Sequence, residues 1–388
     1  MADGSTRTAA WLCGVVLFLI AYGSLYPFRF TDIGAAGIGD LLGRLDWART
    51  TRSDIAANVL LYLPLGASLA WLLAARLGNL LAILVATLAG GLLAFGIELA
   101  QLYETRRVAS LADLCFNTVG AGAGAVTAML VASAHRRLRS GTLARLLRQP
   151  VAVALLLSWA GHRLAPFAPE FDLAGLIASF RSLLDASWWM PGEMIRHALA
   201  WLVILLVCER IARLGRALAV AGLAMAAVLV GRILFDGLEL VPAEIVGMVA
   251  ALLLARPLLA LPAPQAAAAL ASALAVWIAI TGLAPFDFQL TGEGFALVPF
   301  SESLTHYRAT NLADTFQRCF IAGALVWLLV QSGLSVLAAT LLGAGAIFGV
   351  ELLQTWLPGQ AAEITDPLLA IAAGGLIAVF EDSRGGRR

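Results

Sequence analysis

The chain has 388 residues, 61% hydrophobic and 13% charged, with a mean hydropathy of +0.88 and a net charge of +1. Soluble proteins carry about 25% charged residues, so a soluble globular class is excluded, and the near-neutral balance leaves no electrostatic footprint for nucleic acid. All 26 basic side chains are Arg, and Cys13, Cys115, Cys208 and Cys319 lie far apart in apolar segments, read as packing rather than disulfides or metal ligands.

Apolar stretches near membrane length recur along the whole chain. They predict spans at roughly 9–26, 55–76, 79–103, 111–133, 150–166, 195–212, 216–236, 241–260, 266–284, 312–331, 333–356 and 364–380. The first run has no A-x-A-like cleavage site after it and is read as a span, not a removable signal. Between the first and second span of each group of four lies a long polar segment: roughly 27–53, 168–194 and 285–311. In the second of these, Leu173, Leu176, Ile177, Phe180 and Leu184 recur at helical spacing before Trp188 and Trp189. Such segments read either as amphipathic helices lying in the membrane interface or as caps on the bundle.

Arginine distribution sets the expected orientation. Arg136, Arg137, Arg139, Arg145 and Arg148 crowd one loop, Arg210, Arg213 and Arg216 another, Arg256 marks a third, and Arg384, Arg387 and Arg388 end the chain. These place the loops and both termini in the cytoplasm. Arg44, Arg49 and Arg52 oppose this in the first long segment, but Asp40 and Asp46 accompany them.

A short phrase closes three of the spans: Tyr26-Pro27-Phe28-Arg29-Phe30, Ala165-Pro166-Phe167 and Ala284-Pro285-Phe286-Asp287-Phe288. Glu98, Gln101 and Asp113 reappear as Glu351, Gln354 and Asp366, each 253 positions later. Such register predicts an internal repeat. The expected fold is an all-α polytopic membrane protein of about twelve helices in three related four-helix repeats, at 1–135, 150–262 and 263–382.

The second span of each repeat opens with an acid and a polar or basic residue four positions on: Asp54/Asn58, Glu193/His197 and Asp314/Arg318. That spacing stacks both side chains on one face, and an acid in the first turn also suits the helix dipole. Glu98 and Gln101 share a face near the end of the third span, and Asp113 and Asn117 share one at the start of the fourth, with Arg106 and Arg107 between. Two carboxylates, an Arg, a Gln and an Asn should therefore meet in a small volume. A carboxylate facing lipid costs about 2.5 kcal/mol or more, so Glu98 should face protein or water. Three roles fit these residue types. Arg107 could neutralise Glu98 and Asp113 and pin the hairpin. The cluster could hold the head group of a membrane-borne ligand, with Arg matching phosphate or carboxylate. Or a carboxylate could act as general base, or both could hold a divalent cation. No Ser/His/Asp, HExxH or Gly-rich phosphate signature accompanies the last. His162, His197 and His306 are each isolated, and neither a metal nor a cofactor is expected.

Pro27-Phe28-x-Phe30, Asp54-x-x-x-Asn58-x-x-x-Tyr62-x-Pro64-Leu65-Gly66, Glu98-x-x-Gln101 and Arg107-x-x-Ser110-x-x-Asp113-x-x-x-Asn117-x-x-Gly120-x-x-x-Gly124 resemble the VanZ-like family. The likeness covers about residues 20–125. Residues 280–375 are similar less fully: Val298-Pro299-Phe300, Glu351, Gln354 and Asp366 fit, but Gln360 stands at the Arg107 position and Ala370 at the Asn117 position. Asp314 and Arg318 stand for Asp54 and Asn58 there. The middle copy keeps Pro166-Phe167 and Glu193/His197, while Arg232, Asp236, Glu239 and Glu244 are out of register. The resemblance implies a small bacterial membrane protein of the cell envelope, in a family named for a member linked to resistance to teicoplanin-type glycopeptide antibiotics. It carries over no catalytic residue.

The expected function is binding of an anionic amphiphile, such as a lipid-linked cell-envelope precursor, at an outward-facing polar pocket of a bacterial inner-membrane protein. Membrane lipids are the expected partners. The primary candidates are Asp54, Asn58, Glu98, Gln101, Arg107, Asp113 and Asn117, and the secondary ones Asp314, Arg318, Glu351, Gln354 and Asp366. A transporter or flippase, or a non-catalytic assembly factor for envelope or polysaccharide machinery, are the alternatives. Clustering of the acids toward one face argues against the transporter, whose ionisable residues belong near the midplane.

Overall fold

A computed structural model describes residues 2–31, 51–105, 108–137, 145–167 except 147, 189–235 except 213, 238–301 except 291 and 293, and 310–385, with positions 43, 45, 47, 169, 177, 180, 181, 183 and 184. Most of the first two long segments, 27–53 and 168–194, lies outside these residues; of the third, 285–300 is described except 291 and 293 and forms turns, extended backbone and an isolated bridge at Ala296 rather than the expected interfacial helix. The chain forms two compact units, Met1–Ala144 and Arg145–Arg388. Residues 150–262 and 263–382 thus belong to one unit.

The first unit is a bundle of four helices: α1 (Ala2–Leu25), α2 (Arg52–Leu77), α3 (Asn79–Gln101) and α4 (Leu111–Arg137). α1 stops at Pro27, whose ring removes a backbone donor, and the Phe28 N–H turns back to the Leu25 carbonyl at 2.8 Å. Phe167 and Phe286 bond Leu164 and Leu283 in the same way, at 2.9 and 2.7 Å. At all three sites the X-Pro bond is cis and the Phe sits at φ 60–65°, a region few side chains enter. The recurring phrase is therefore one specific helix-ending turn.

α2 begins with a capping box. The Thr51 hydroxyl accepts from the Asp54 N–H at 3.2 Å, and Asp54 Oδ2 accepts from the Thr51 N–H at 3.1 Å. Gly78, at φ 74°, ends α2 and lets α3 start at the next residue. α2 and α4 run parallel with their backbones touching. A Cβ on Gly66 would fall 1.8 Å from the Ala121 carbonyl oxygen, and one on Gly124 would fall 1.9 Å from that of Leu63. This is close approach through small residues, as association in lipid favours. Opposite it, Leu80, Leu84, Leu88 and Leu92 form an exposed stripe along α3, the surface a lipid-facing helix presents.

The second unit contains α5 (Pro150–Leu164), α6 (Pro191–Ala212), α7 (Leu214–Leu234), α8 (Pro242–Ala260), α9 (Ala263–Leu283), α10 (Thr310–Gln331), α11 (Val336–Gln354) and α12 (Thr365–Gly385). α6 packs on α8, α10 on α12 and α5 on α10. Trp201–Cys208 of α6 is buried without interruption, as is Ala324–Leu328 of α10, so protein surrounds both helices on every side. Trp159 meets Trp201 edge-on at 4.4 Å in this core.

Among the described residues, eight of the twelve helices are long and apolar enough to cross a membrane: α2, α3, α4, α7, α8, α9, α10 and α11. α1 and α12 contain shorter apolar runs. The segment expected to span at 195–212 forms α6, a helix of 22 residues in the interior of the unit. α6 carries Glu193, Arg196, Glu209 and Arg210 at its ends, and neighbouring helices rather than lipid cover its apolar middle. The protein is a multi-pass, all-helical membrane protein.

Candidate functional site

Alternation of direction puts the end of α1, the start of α2, the end of α3 and the start of α4 at one end of the first unit. An antiparallel bridge between Phe30 and Glu104 joins the two chain segments that leave α1 and α3 there. The candidate residues gather beneath it.

α4 begins after Ser110, whose hydroxyl accepts from the Ala112 N–H at 3.1 Å, the N-cap role that serine favours. Its own N–H donates to Glu98 Oε2 at 2.7 Å. A capping box normally takes this carboxylate from the same helix; here α3 supplies it. Glu98 is 2% exposed, and a buried carboxylate needs such a donor. One turn on, Gln101 Nε2 donates to the Ser24 carbonyl at 2.9 Å and ties α3 to α1. Asn58 Nδ2 donates to Asp113 Oδ1 at 2.7 Å, joining α2 to α4.

The candidates thus separate by task. Asn58 and Asp113 meet across helices, while Asp54 serves the capping box. Glu98 and Gln101 stitch the bundle end. Arg107 lies outside the described residues, as does its expected pairing with Glu98 or Asp113. Because α2 and α4 are parallel, the residues four positions beyond Asn58 and Asp113 sit one turn deeper on the same faces. These are Tyr62 and Asn117. Both are buried, and neither the Tyr62 hydroxyl nor Asn117 Oδ1 has a hydrogen-bond partner among the described residues. Buried polar groups without partners are uncommon and call for a cause. Tyr62 was legible only as part of a motif; the matching four-residue steps from Asn58 and Asp113 carry the missed signal.

The second unit repeats much of this geometry with altered chemistry. Glu351 Oε2 accepts from the Glu363 N–H at 3.0 Å, and Gln354 Nε2 donates to the Gly282 carbonyl at 3.0 Å. Glu363 stands 253 positions after Ser110 and is 1% exposed. Its carboxylate pairs with Arg318, which also lies 3.2 Å from Asp366 Oδ1. Thr365 Oγ1 accepts from the Phe300 N–H at 2.7 Å. Asp314 is exposed one turn before Arg318. One turn deeper than Arg318 and Asp366 come Ala322 and Ala370, both buried. The equivalent layer is therefore apolar. Sequence reasoning did not single out Glu363, although the shared 253-residue offset reaches it from Ser110.

Arg232 and Glu244, out of register by spacing, meet in the fold. Arg163 contacts Glu244, and Arg232 Nε lies 3.3 Å from the same carboxylate oxygen and donates to the Glu239 carbonyl at 2.8 Å. Glu193 pairs with Arg196, while His197 Nε2 lies 3.9 Å away from it. The described residues contain no group of three His, Cys, Asp or Glu arranged to hold a metal ion, and all four cysteines are free.

Residues 10–132 match the family model described as VanZ/LLP1. The first unit therefore carries a VanZ-like domain, spanning the residues that form the site. No curated protein and no solved structure matches the chain.

Proposed function

We propose that the chain comprises three related four-helix units in the bacterial inner membrane, with both termini cytoplasmic and a head-group site in the first unit. The ligand is an anionic amphiphile of the lipid-linked envelope-precursor class. Asn58, Asp113, Tyr62 and Asn117 receive its polar, hydroxyl-rich part, and Arg107 receives its phosphate. Glu98 and Gln101 position the end of the bundle. The unpartnered Tyr62 hydroxyl and Asn117 Oδ1, buried beneath the Asn58–Asp113 bond, are the observation that carries this reading. A carboxylate and amides accept from and donate to sugar hydroxyls, and Arg suits phosphate. The Ala322 and Ala370 layer makes the later copy a scaffold rather than a second site.

A paired substitution tests it. Asp113→Asn keeps size and hydrogen bonding but removes the charge, so resistance to an envelope-active antibiotic should fall while membrane abundance stays near wild type. Asp366→Asn should change resistance less. Equal losses that track abundance in both variants would contradict the head-group reading.

A further inference from the structure

The second unit holds another polar interior, separate from the proposed head-group site. A cavity of about 30 Å³ lies between the end of α5, the start of α6, the end of α9 and the start of α10. His162, Arg163, Arg196, His197, Trp277 and Gln317 supply its polar lining. Arg163 is 6% exposed. One of its amino groups meets Glu244, but its Nε–H has no acceptor among the described residues. Arg196 turns an amino group to Glu193, and its buried Nε–H is likewise without an acceptor. Trp277 Nε1–H is a third.

Every buried, unpartnered polar atom on this lining is therefore a donor. One carboxylate, Glu244, is shared by Arg163 and Arg232, while Arg196 pairs with Glu193 and Glu239 lies near Arg232. A water oxygen accepts two hydrogen bonds, so three donors call for two waters or two oxygens of one anion. The space admits roughly two water-sized groups, which suits the oxygens of a carboxylate or phosphate. Trp159 and Trp201, in edge contact, wall the cavity with packed core, so the donors are held in place before a ligand arrives.

We infer that this cavity binds an oxyanion, phosphate or carboxylate, through the N–H groups of Arg163, Arg196 and Trp277. The same chemistry serves a free anion or the head group of an anionic phospholipid. Binding of an oxyanion supplies the acceptors that three buried donors lack, which is where its affinity arises. The site depends on no residue of the first unit, so it stands or falls apart from the head-group proposal.

The test uses the full-length protein in phosphatidylcholine nanodiscs, titrated with inorganic phosphate in one arm and doped with phosphatidylglycerol in the other. Bound species are read by native mass spectrometry and by saturable thermal stabilisation. Wild type should hold one of the two probes. Arg196→Gln should weaken that binding at least tenfold, and Trp277→Phe, which removes one N–H from an otherwise similar ring, several-fold. Saturation by phosphate identifies a soluble oxyanion; retention of phosphatidylglycerol alone identifies a lipid head group. Failure of wild type to hold either probe, or wild-type binding in both variants, would overturn the inference.

Discussion

Glu98 of α3 accepts the backbone N–H of Ser110 at 2.7 Å and so closes the start of α4 from a neighbouring helix. Glu351 does the same for Glu363 at 3.0 Å. A carboxylate this deep is stable because it answers an orphan donor at a helix end, and the bond fixes two helix termini against each other. Hydrogen bonds to charged groups contribute about 1.5–3 kcal/mol. Glu98→Ala should therefore lower stability by about that amount, whereas Glu98→Gln, which retains an acceptor, should cost less. Thermal unfolding in nanodiscs distinguishes them; equal losses would remove the capping role.

The backbone contact between α2 and α4 gives a sharper stability test. Gly66→Ala puts a methyl 1.8 Å from the Ala121 carbonyl oxygen, so the helices must separate, at a cost of about 3 kcal/mol or more. Gly96→Ala in α3 meets nothing within 4 Å and should gain up to about 1 kcal/mol from helix propensity. Similar folded yields for the two variants would contradict the packing described.

In the second unit, Arg318 offsets Glu363 and Asp366 together. Arg318→Asn alone leaves a buried carboxylate unpaired and should cost about 3–5 kcal/mol. Adding Glu363→Ser removes that carboxylate and leaves the residue types of the first unit at both positions, Asn as at Asn58 and Ser as at Ser110, and should recover most of the loss. A double-mutant cycle measures this coupling; additive losses would show that the pair is independent.

The proposed orientation has its own check. Reporter fusions after Arg139 and after Phe288 should read opposite compartments, cytoplasmic for the first and external for the second. If both report one side, the placement of the polar site on the outer face fails.

Much of this arrangement could be read from local spacing. Apolar length located the helices, and the 253-residue offset picked out Glu351, Gln354 and Asp366, which take up the bonds of Glu98, Gln101 and in part Asp113. The helix-ending turn was visible as a phrase because the same Pro-Phe pair occupies it at all three sites. What stayed hidden depends on which helices touch. Arg163, Arg232 and Glu244 come from three helices and share no local register, so only the fold unites them. α6 looked like an ordinary span, yet its apolar middle faces other helices, a distinction composition does not carry. Asp54 and Asn58 stack by spacing, but each found a different partner, because a free N–H at a helix start competes for the nearer acid.

The central claim is that the buried Tyr62–Asn117 layer, beneath the Asn58–Asp113 bond, receives the head group of an amphiphile. Native mass spectrometry of the full-length protein, released gently from its own membrane, addresses this most directly. The account predicts a co-purifying phosphate-bearing, hydroxyl-rich lipid held by wild type. Tyr62→Phe and Asn117→Leu should lose it while the protein stays folded. A lipid complement matching the bulk membrane, unchanged in both variants, would contradict the claim.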